Sequence, residues 1–226
     1  MTVCLLMPLR NAEPYLENCF AQLNDLCTYF NMLGENIRII IIEGDHKDNS
    51  RQRIKDLSAN LPIEIISYDH GGPAWGSIEN SKRFAQLAKM GNVAWKEIPR
   101  DCEVVIWVEG DLIWSTKSLI KIIAQVNEDF PIIAPMIMEK SRPDIFYDVW
   151  AFRKNGVRFT KENPYHADLY EGLVEVDSVG SCVAMLGYLA RKVNFPEEDV
   201  FVGLCRKLKE INGSIWVNST TKVYHP

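Results

Sequence analysis

No CxxC pair occurs in this sequence. Its six cysteines, Cys4, Cys19, Cys27, Cys102, Cys182 and Cys205, are scattered singly, several of them within apolar segments. That distribution disfavours a zinc ribbon or a disulfide framework and fits reduced core thiols in a reducing compartment. A basic excess is missing too: 25 Lys and Arg against 30 Asp and Glu give a formal net charge of −5. Broad phosphate-backbone binding needs a basic surface that releases counterions, so nonspecific nucleic-acid binding is disfavoured, while a local basic groove stays open. No apolar run approaches the roughly 20 residues of a membrane helix. The opening MTVCLLMPLRNAEPYL carries no basic leader, so a cytoplasmic location, in a bacterium or a virus-infected cell, is expected. The sequons at Asn212 and Asn218 therefore carry little weight. There is no low-complexity segment and no repeat longer than a tripeptide. What remains is ordinary globular usage, 47% hydrophobic and 24% charged over 226 residues, which suits one domain with a sizeable core.

Apolar runs and amphipathic stretches alternate along the chain. Residues 3–7 form a strand-like run stopped by Pro8. A helix-start signal at Asn11 precedes Tyr15, Leu16, Cys19, Phe20, Leu23, Leu26, Cys27 and Phe30 at helical spacing, and Gly34 closes that helix. Further strands are predicted at 37–42, 63–68, 104–108 and 132–136, and helices at about 50–61, 77–90 and 115–126. This β-α-β-α order implies a mainly parallel sheet with helices on both faces. Ligands of such sheets bind beyond the carboxyl ends of the strands. Residues 139–175 break the pattern, with turns at Arg142-Pro143, Asn155-Gly156 and Asn163-Pro164 among aromatic residues, and read as a long insertion of the kind that moves. After it, 179–186 is strand-like or a buried turn, 198–210 a helix, 215–217 a strand, and Val223-Tyr224-His225-Pro226 ends the chain.

Two predicted strand ends carry the same tripeptide, Glu43-Gly44-Asp45 and Glu109-Gly110-Asp111. Carboxylates there suit a hard divalent cation, which neutralises an anionic substrate, and a glycine between them allows close backbone approach. A solvated acidic turn has the same composition. At the first tripeptide, Glu43 or Asp45 can accept hydrogen bonds from a ribose hydroxyl or a base N–H, or Asp45, Asp48 or Asn49 can cap the next helix. Arg10 and Arg83 offer rigid donor forks for phosphate, although Arg83 beside Lys82 also fits a solvated helix face. Glu198 and Asp199, after Pro196, supply either a general base or acids at a helix start. Tyr147, Trp150, Phe152, Tyr165 and Tyr170 offer faces for stacking on a sugar or base, or for core packing.

The stretch Met7-Pro8-Leu9-Arg10-Asn11-Ala12-Glu13-Pro14-Tyr15-Leu16 resembles the first strand-to-helix turn of GT-A-type glycosyltransferases. It looks especially like the fungal mannan-polymerase mannosyltransferases within the wider set of nucleotide-sugar transferases, many of them inverting. The resemblance implies a GT-A (Rossmann-like) α/β fold over 1–226, with 1–115 as the nucleotide-sugar half and 116–226 as the acceptor side. Glu109-Gly110-Asp111 matches the family's Asp-x-Asp in position, with Glu for the first Asp. By that likeness Asp111 is the principal ligand of Mn²⁺ or Mg²⁺, and Glu109 faces the metal or the ribose. Val223-Tyr224-His225 resembles the strand whose His completes the metal site. Glu197-Glu198-Asp199-Val200-Phe201 resembles the acidic-pair helix, with a spacing two residues longer. In inverting relatives the Asp of that pair, here Asp199, is the general base; retaining relatives have no equivalent, so the stereochemistry stays open. The likeness also puts Pro8, Arg10, Asn11, Arg83 and Glu43 or Asp45 at the nucleotide, and Asp177-Ser178-Val179-Gly180-Ser181-Cys182 beside the donor sugar.

The expected function is metal-dependent transfer of a hexose from a nucleoside diphosphate sugar to an acceptor hydroxyl on a glycan, lipid-linked sugar, protein or modified nucleobase. A sugar-nucleotide pyrophosphorylase needs a glycine-rich basic loop at its first strand end, and Met7-Pro8-Leu9-Arg10-Asn11 has no glycine. A non-catalytic sugar-nucleotide or glycan-binding module shares the fold without turnover.

Overall fold

In the computed structural model, which describes residues 1–76, 79–161 and 172–226, the elements run β1 (Thr2–Leu9), α1 (Leu16–Leu33), β2 (Asn36–Glu43), α2 (Ser50–Ser58), β3 (Ile63–Ser67), α3 (Ser81–Lys96), β4 (Val104–Val108), α4 (Thr116–Gln125), β5 (Ile132–Glu139), β6 (Arg153–Lys154), β7 (Val157–Arg158), β8 (Leu173–Val176), β9 (Cys182–Leu186), α5 (Gly187–Ala190), α6 (Val200–Glu210) and β10 (Ile215–His225). Eight strands form one twisted sheet in the order β3-β2-β1-β4-β9-β5-β10-β8. The pairs β3-β2, β2-β1, β1-β4 and β5-β10 are parallel, while β9 runs antiparallel between β4 and β5 and β8 runs antiparallel to β10. α1 packs against α2 and α4, and α3 against α6.

Burial explains why the central strands read as continuous apolar runs rather than alternating ones. Val3, Cys4, Leu5, Leu6 and Met7 are fully buried, as are Ile39, Ile40 and Ile41, because helices cover both faces of a parallel sheet. Each buried Leu or Ile contributes about 2 kcal/mol of transfer free energy.

Several element limits differ from the sequence reading, each for a local reason. α1 begins at Leu16 rather than near Asn11, because Asn11 sits at φ 48 in the left-handed region and its side chain accepts from Lys47 N–H at 2.7 Å. Gly34 closes α1 as expected, at φ 64. α3 begins at Ser81, with the Asn80 side chain accepting from Lys82 and Arg83 N–H, and it continues through Gly91 to Lys96. A Cβ on Gly91 would lie 2.7 Å from the Phe195 ring, so that glycine serves helix packing and does not stop the helix. The expected start of α3 at Ser77 lies outside the described residues.

The insertion is more ordered than its composition suggests. β5 extends to Glu139, Asn155 and Gly156, at φ 53 and 75, turn the β6-β7 hairpin, and β8 pairs with β10. Paired positive φ values in a two-residue turn match the right-handed twist of the flanking strands. Asn163, Pro164, Tyr165 and Tyr170 lie outside the described residues.

Two features of the topology build the site. β9 runs against β4, so the segment that enters β9 lies where β4 ends, and Glu109 N–H donates to Ser181 O at 2.8 Å. β10 is one strand of 11 residues with an irregularity between Asn218 and Lys222, not the short strand expected at 215–217. Its end exchanges two backbone hydrogen bonds between Ile113 and Tyr224, at 2.7 and 2.8 Å, which brings His225 beside the segment after β4.

Candidate active site at the strand ends

Two cavities open at the carboxyl ends of β1, β2 and β4. One, of about 410 Å³, is lined among others by Pro8, Arg10, Asn11, Gly44, His70, Arg83, Glu109, Gly110 and Asp111. The other, of about 620 Å³, is lined by Arg83, Glu109, Tyr147, Asp148, Trp150, Arg153, Ser181, Glu198 and Asp199, with further residues of α3 and α6. Arg83, Leu87, Glu109, Val200 and Phe201 line both and form the partition.

The repeated Glu-Gly-Asp has a steric reason at each glycine. A Cβ on Gly44 would lie 2.0 Å from the backbone O of Tyr68, and one on Gly110 would lie 2.1 Å from Leu9 Cδ2 and 3.0 Å from Pro8 O. The room expected for a ligand at Gly110 is thus taken by the end of β1, although Gly110 still lines the first cavity. Gly44→Ala drives a methyl into a backbone carbonyl, which only separation of β2 and β3 relieves. The expected loss is about 3 kcal/mol in a urea-unfolding curve; an unchanged midpoint would contradict the packing account.

The first tripeptide is built into a loop. Glu43 is 1% exposed, and its Oε2 accepts from Arg51 Nε at 2.9 Å with His46 Nε2 also 2.9 Å away, while the Ser67 hydroxyl donates to Oε1. Asp45, at φ 50, accepts from His70 N–H at 2.8 Å and Gly71 N–H at 3.0 Å. Neither carboxylate lines a cavity, whereas Ile42 and Gly44 line the first. Asp45 is engaged at His70 and Gly71 and Asn49 makes no side-chain cap, whereas Asp48 Oδ1 accepts from Ser50 N–H at 3.1 Å at the start of α2. Arg10 reaches the same loop, donating to Gly72 O at 2.8 Å and Pro73 O at 3.1 Å and lying 3.1 Å from His70 Nε2. Asn11 N–H donates to His46 Nδ1 at 3.0 Å. These bonds tie the ends of β1, β2 and β3 together as one rim.

The second tripeptide meets the end of the chain. Asp111 Oδ2 lies 3.2 Å from His225 Nε2, and the His225 ring stacks on Tyr147 with centroids 3.7 Å apart and planes 10° from parallel. Burial opposes the charge on His225, but the hydrogen bond and charge of Asp111 outweigh it and raise its pKa above the ordinary imidazole value. Asp111 Oδ1 is buried and has no partner. Burial pushes the Glu109 carboxyl up to about 8, helped by the negative charges of Asp111 and Asp148.

Asp148 was not singled out from the sequence. It is 6% exposed and accepts from the Ser181 hydroxyl at 2.6 Å and Ala151 N–H at 3.3 Å; burial still raises its pKa. The signal was there: a lone acid inside the apolar stretch Ile145-Phe146-Tyr147-Asp148-Val149-Trp150 needs a partner if it is buried.

Asp199 stands at the start of α6, where the helix dipole favours an acid, and its side chain makes no cap bond. Its Oδ2 accepts from Arg206 Nη1 at 2.9 Å, and its Oδ1 is buried without a partner, tucked where a Cβ on Gly203 would lie 1.9 Å away. Val200, next along, sits at φ 43, a strained conformation for a β-branched residue, and lines both cavities. Glu198 is exposed at the second cavity.

The donor set fits a divalent cation in part. Asp111 offers an unpartnered buried oxygen and His225 a ring nitrogen facing the same carboxylate. Among the described residues no group of three or more His, Cys, Asp or Glu side chains is gathered to hold a metal ion, so a cation there would complete its shell with other oxygens, such as those of a bound anion or water.

The family model described as glycosyl transferase family 2 matches residues 4–193. The chain belongs to glycosyl transferase family 2. This family 2 match takes in both Glu-Gly-Asp tripeptides and Asp148 and stops short of Glu198, Asp199 and His225, which the fold alone brings to the site. No curated protein matches the sequence. Among solved structures, S. aureus TarS 1-349 is 15% identical, with a TM-score of 0.61 over 99% of this chain and 60% of that one. The same protein in complex with UDP is 17% identical, with TM-score 0.61 and the same coverage. A197 from STIV is 12% identical, with a TM-score of 0.51 over 100% of this chain and 86% of that one. At these identities the likeness is one of fold, and it gives this family 2 chain an α/β fold of GT-A type. The chain spans 60% of the length of TarS 1-349. Among the described residues no helix is long and apolar enough to cross a membrane.

Proposed function

We propose that this domain transfers a hexose from a nucleoside diphosphate sugar to an acceptor hydroxyl with the help of a divalent cation. The observation that carries this reading is the Asp111–His225 pair: a buried carboxylate oxygen without a partner, beside an imidazole, at the mouth of a cavity lined by strand ends. The UDP bound in TarS, a protein of like fold, makes a uridine nucleotide the first donor to test. When bound, Mn²⁺ or Mg²⁺ at Asp111 and His225 would neutralise the diphosphate and act as a Lewis acid on the leaving group.

The remaining roles belong to this chain's own residues. The first cavity, formed mainly within 1–115, takes the nucleotide, with Pro8, Asn11 and Arg83 among its lining residues. Glu43, Asp45 and Arg10 act through the loop they hold, rather than by touching the nucleoside. Glu109, which lines both cavities, meets the donor's ribose or sugar. The second cavity, formed mainly by residues beyond 116, takes the acceptor. Asp199 accepts the proton of the attacking hydroxyl there, its second oxygen oriented by Arg206; such a base favours inversion. Glu198 stands beside it at the entrance.

Release of UDP from UDP-hexoses, measured with and without Mn²⁺ across a set of acceptors, tests the reading. Metal-stimulated release that rises with an acceptor supports it. UDP-hexose binding with no release under any condition would leave a binding module instead.

Glu43→Ala separates a loop role from direct contact. It leaves Arg51 and His46 facing a void, so stability falls by about 2 kcal/mol in chemical denaturation while UDP affinity falls about tenfold. Weakened UDP binding at unchanged stability would place Glu43 on the nucleotide itself.

A further inference from the structure

The second cavity differs from the first in its charge. Its carboxylates are Glu79, Glu109, Asp148, Glu198 and Asp199, and its cations are Arg83 on α3, Arg153 and Arg158 on the β6-β7 hairpin, and Lys161 just after it. Among these cations Arg158 is tied to Glu79 at 2.6 Å and lies over the Trp150 ring at 4.8 Å, and Lys161 is tied to Glu139 at 3.3 Å. Arg153 is different. It is half-buried, its Nε is enclosed without a partner, and among the described residues no carboxylate pairs with its guanidinium.

An enclosed guanidinium N–H without an acceptor is unfavourable, and the planar fork that carries it matches the oxygens of a phosphate or carboxylate. Stacking on a neutral sugar is a weaker alternative here, because Arg158 covers one face of Trp150 and Phe84 meets that ring edge-on at 5.9 Å.

We infer that the acceptor is anionic: a sugar or polyol that carries a phosphate or carboxylate, seated on Arg153 with its hydroxyl directed toward Asp199. This deepens the proposed transferase reading and rests on it. Arg153 fixes the acceptor's orientation through its charged group, with the rim cations Arg158 and Lys161 drawing it in.

Direct binding to the protein with UDP and Mn²⁺ present tests this, using glucose 6-phosphate, glucuronate and glucose as probes. The charged probes are expected to bind about tenfold or more tightly than glucose, and Arg153→Gln to remove that preference. A preference for glucose 6-phosphate alone identifies phosphate as the charged group; one for glucuronate alone identifies carboxylate. Equal binding of all three, or no binding by any, overturns the inference, as does an Arg153→Gln variant that keeps the preference. Should that variant not fold, the wild type still decides: raising ionic strength from about 0.05 to about 0.5 M weakens binding of the charged probes and spares glucose. UDP binding is the internal control. If UDP itself fails to bind, it is the transferase reading that has failed.

Discussion

Asp111→Ala abolishes metal-stimulated release of UDP from a UDP-hexose, with kcat falling by about a thousandfold or more. The reasoning starts from the orphaned Oδ1. A buried carboxylate oxygen with no donor near it is unfavourable in the ligand-free protein, so its persistence points to a partner that arrives with the substrate. Removing the side chain should leave the fold intact, because its one ion pair, to His225, is partly exposed. Asp111→Asn, which keeps the shape and removes the charge, should fail almost as badly. The measurement is UDP release against Mn²⁺ concentration for wild type and both variants. Activity within tenfold of wild type in either one would show that Asp111 has no part in holding a cation.

Asp199→Asn lowers kcat for transfer by about a hundredfold to ten-thousandfold while leaving KM for the nucleotide sugar unchanged. Asp199 makes no helix cap, one oxygen is held by Arg206, the other is buried without a partner against Gly203, and the residue lines the cavity assigned to the acceptor. The strained φ of Val200 directly after it is the kind of backbone conformation that persists where geometry is held for function. Asparagine keeps the shape and the Arg206 contact but cannot take a proton. Steady-state transfer kinetics with a saturating acceptor give the split. An unchanged kcat would make Asp199 a structural residue and reopen retention.

Much of the fold was legible because both buried faces of the sheet leave continuous apolar runs. The strands at 37–42 and 104–108 stand within a residue or so of β2 and β4 for that reason, while β3, a half-exposed edge strand, was read from its short β-branched run at 63–68. Limits were less legible where a side chain overrode a local signal, as Asn11 and Gly91 show. β9 was ambiguous because an antiparallel strand buried on both faces looks like any short apolar run. In the site, the approach of Asp111 to His225 followed from a likeness between distant segments, and the Ile113–Tyr224 bonds supply its physical cause. Asp148 left a signal, a lone acid in an apolar stretch, whereas Arg153 left none, since enclosure and the lack of a partner are properties of the folded chain. Glu43 shows the opposite case. The same Glu-Gly-Asp occurs twice, but one copy is built into a loop and the other faces cavities, and only packing separates them.

Thermal denaturation of wild type and Asp111→Ala with UDP, with Mn²⁺, and with both tests the central claim most directly. A ligand that binds only the native state raises the midpoint by mass action. The account predicts a clear rise for wild type with UDP and Mn²⁺ together, a much smaller one with either alone, and loss of the combined effect in the variant. Stabilisation by UDP that is indifferent to Mn²⁺, or that survives intact in Asp111→Ala, would contradict it.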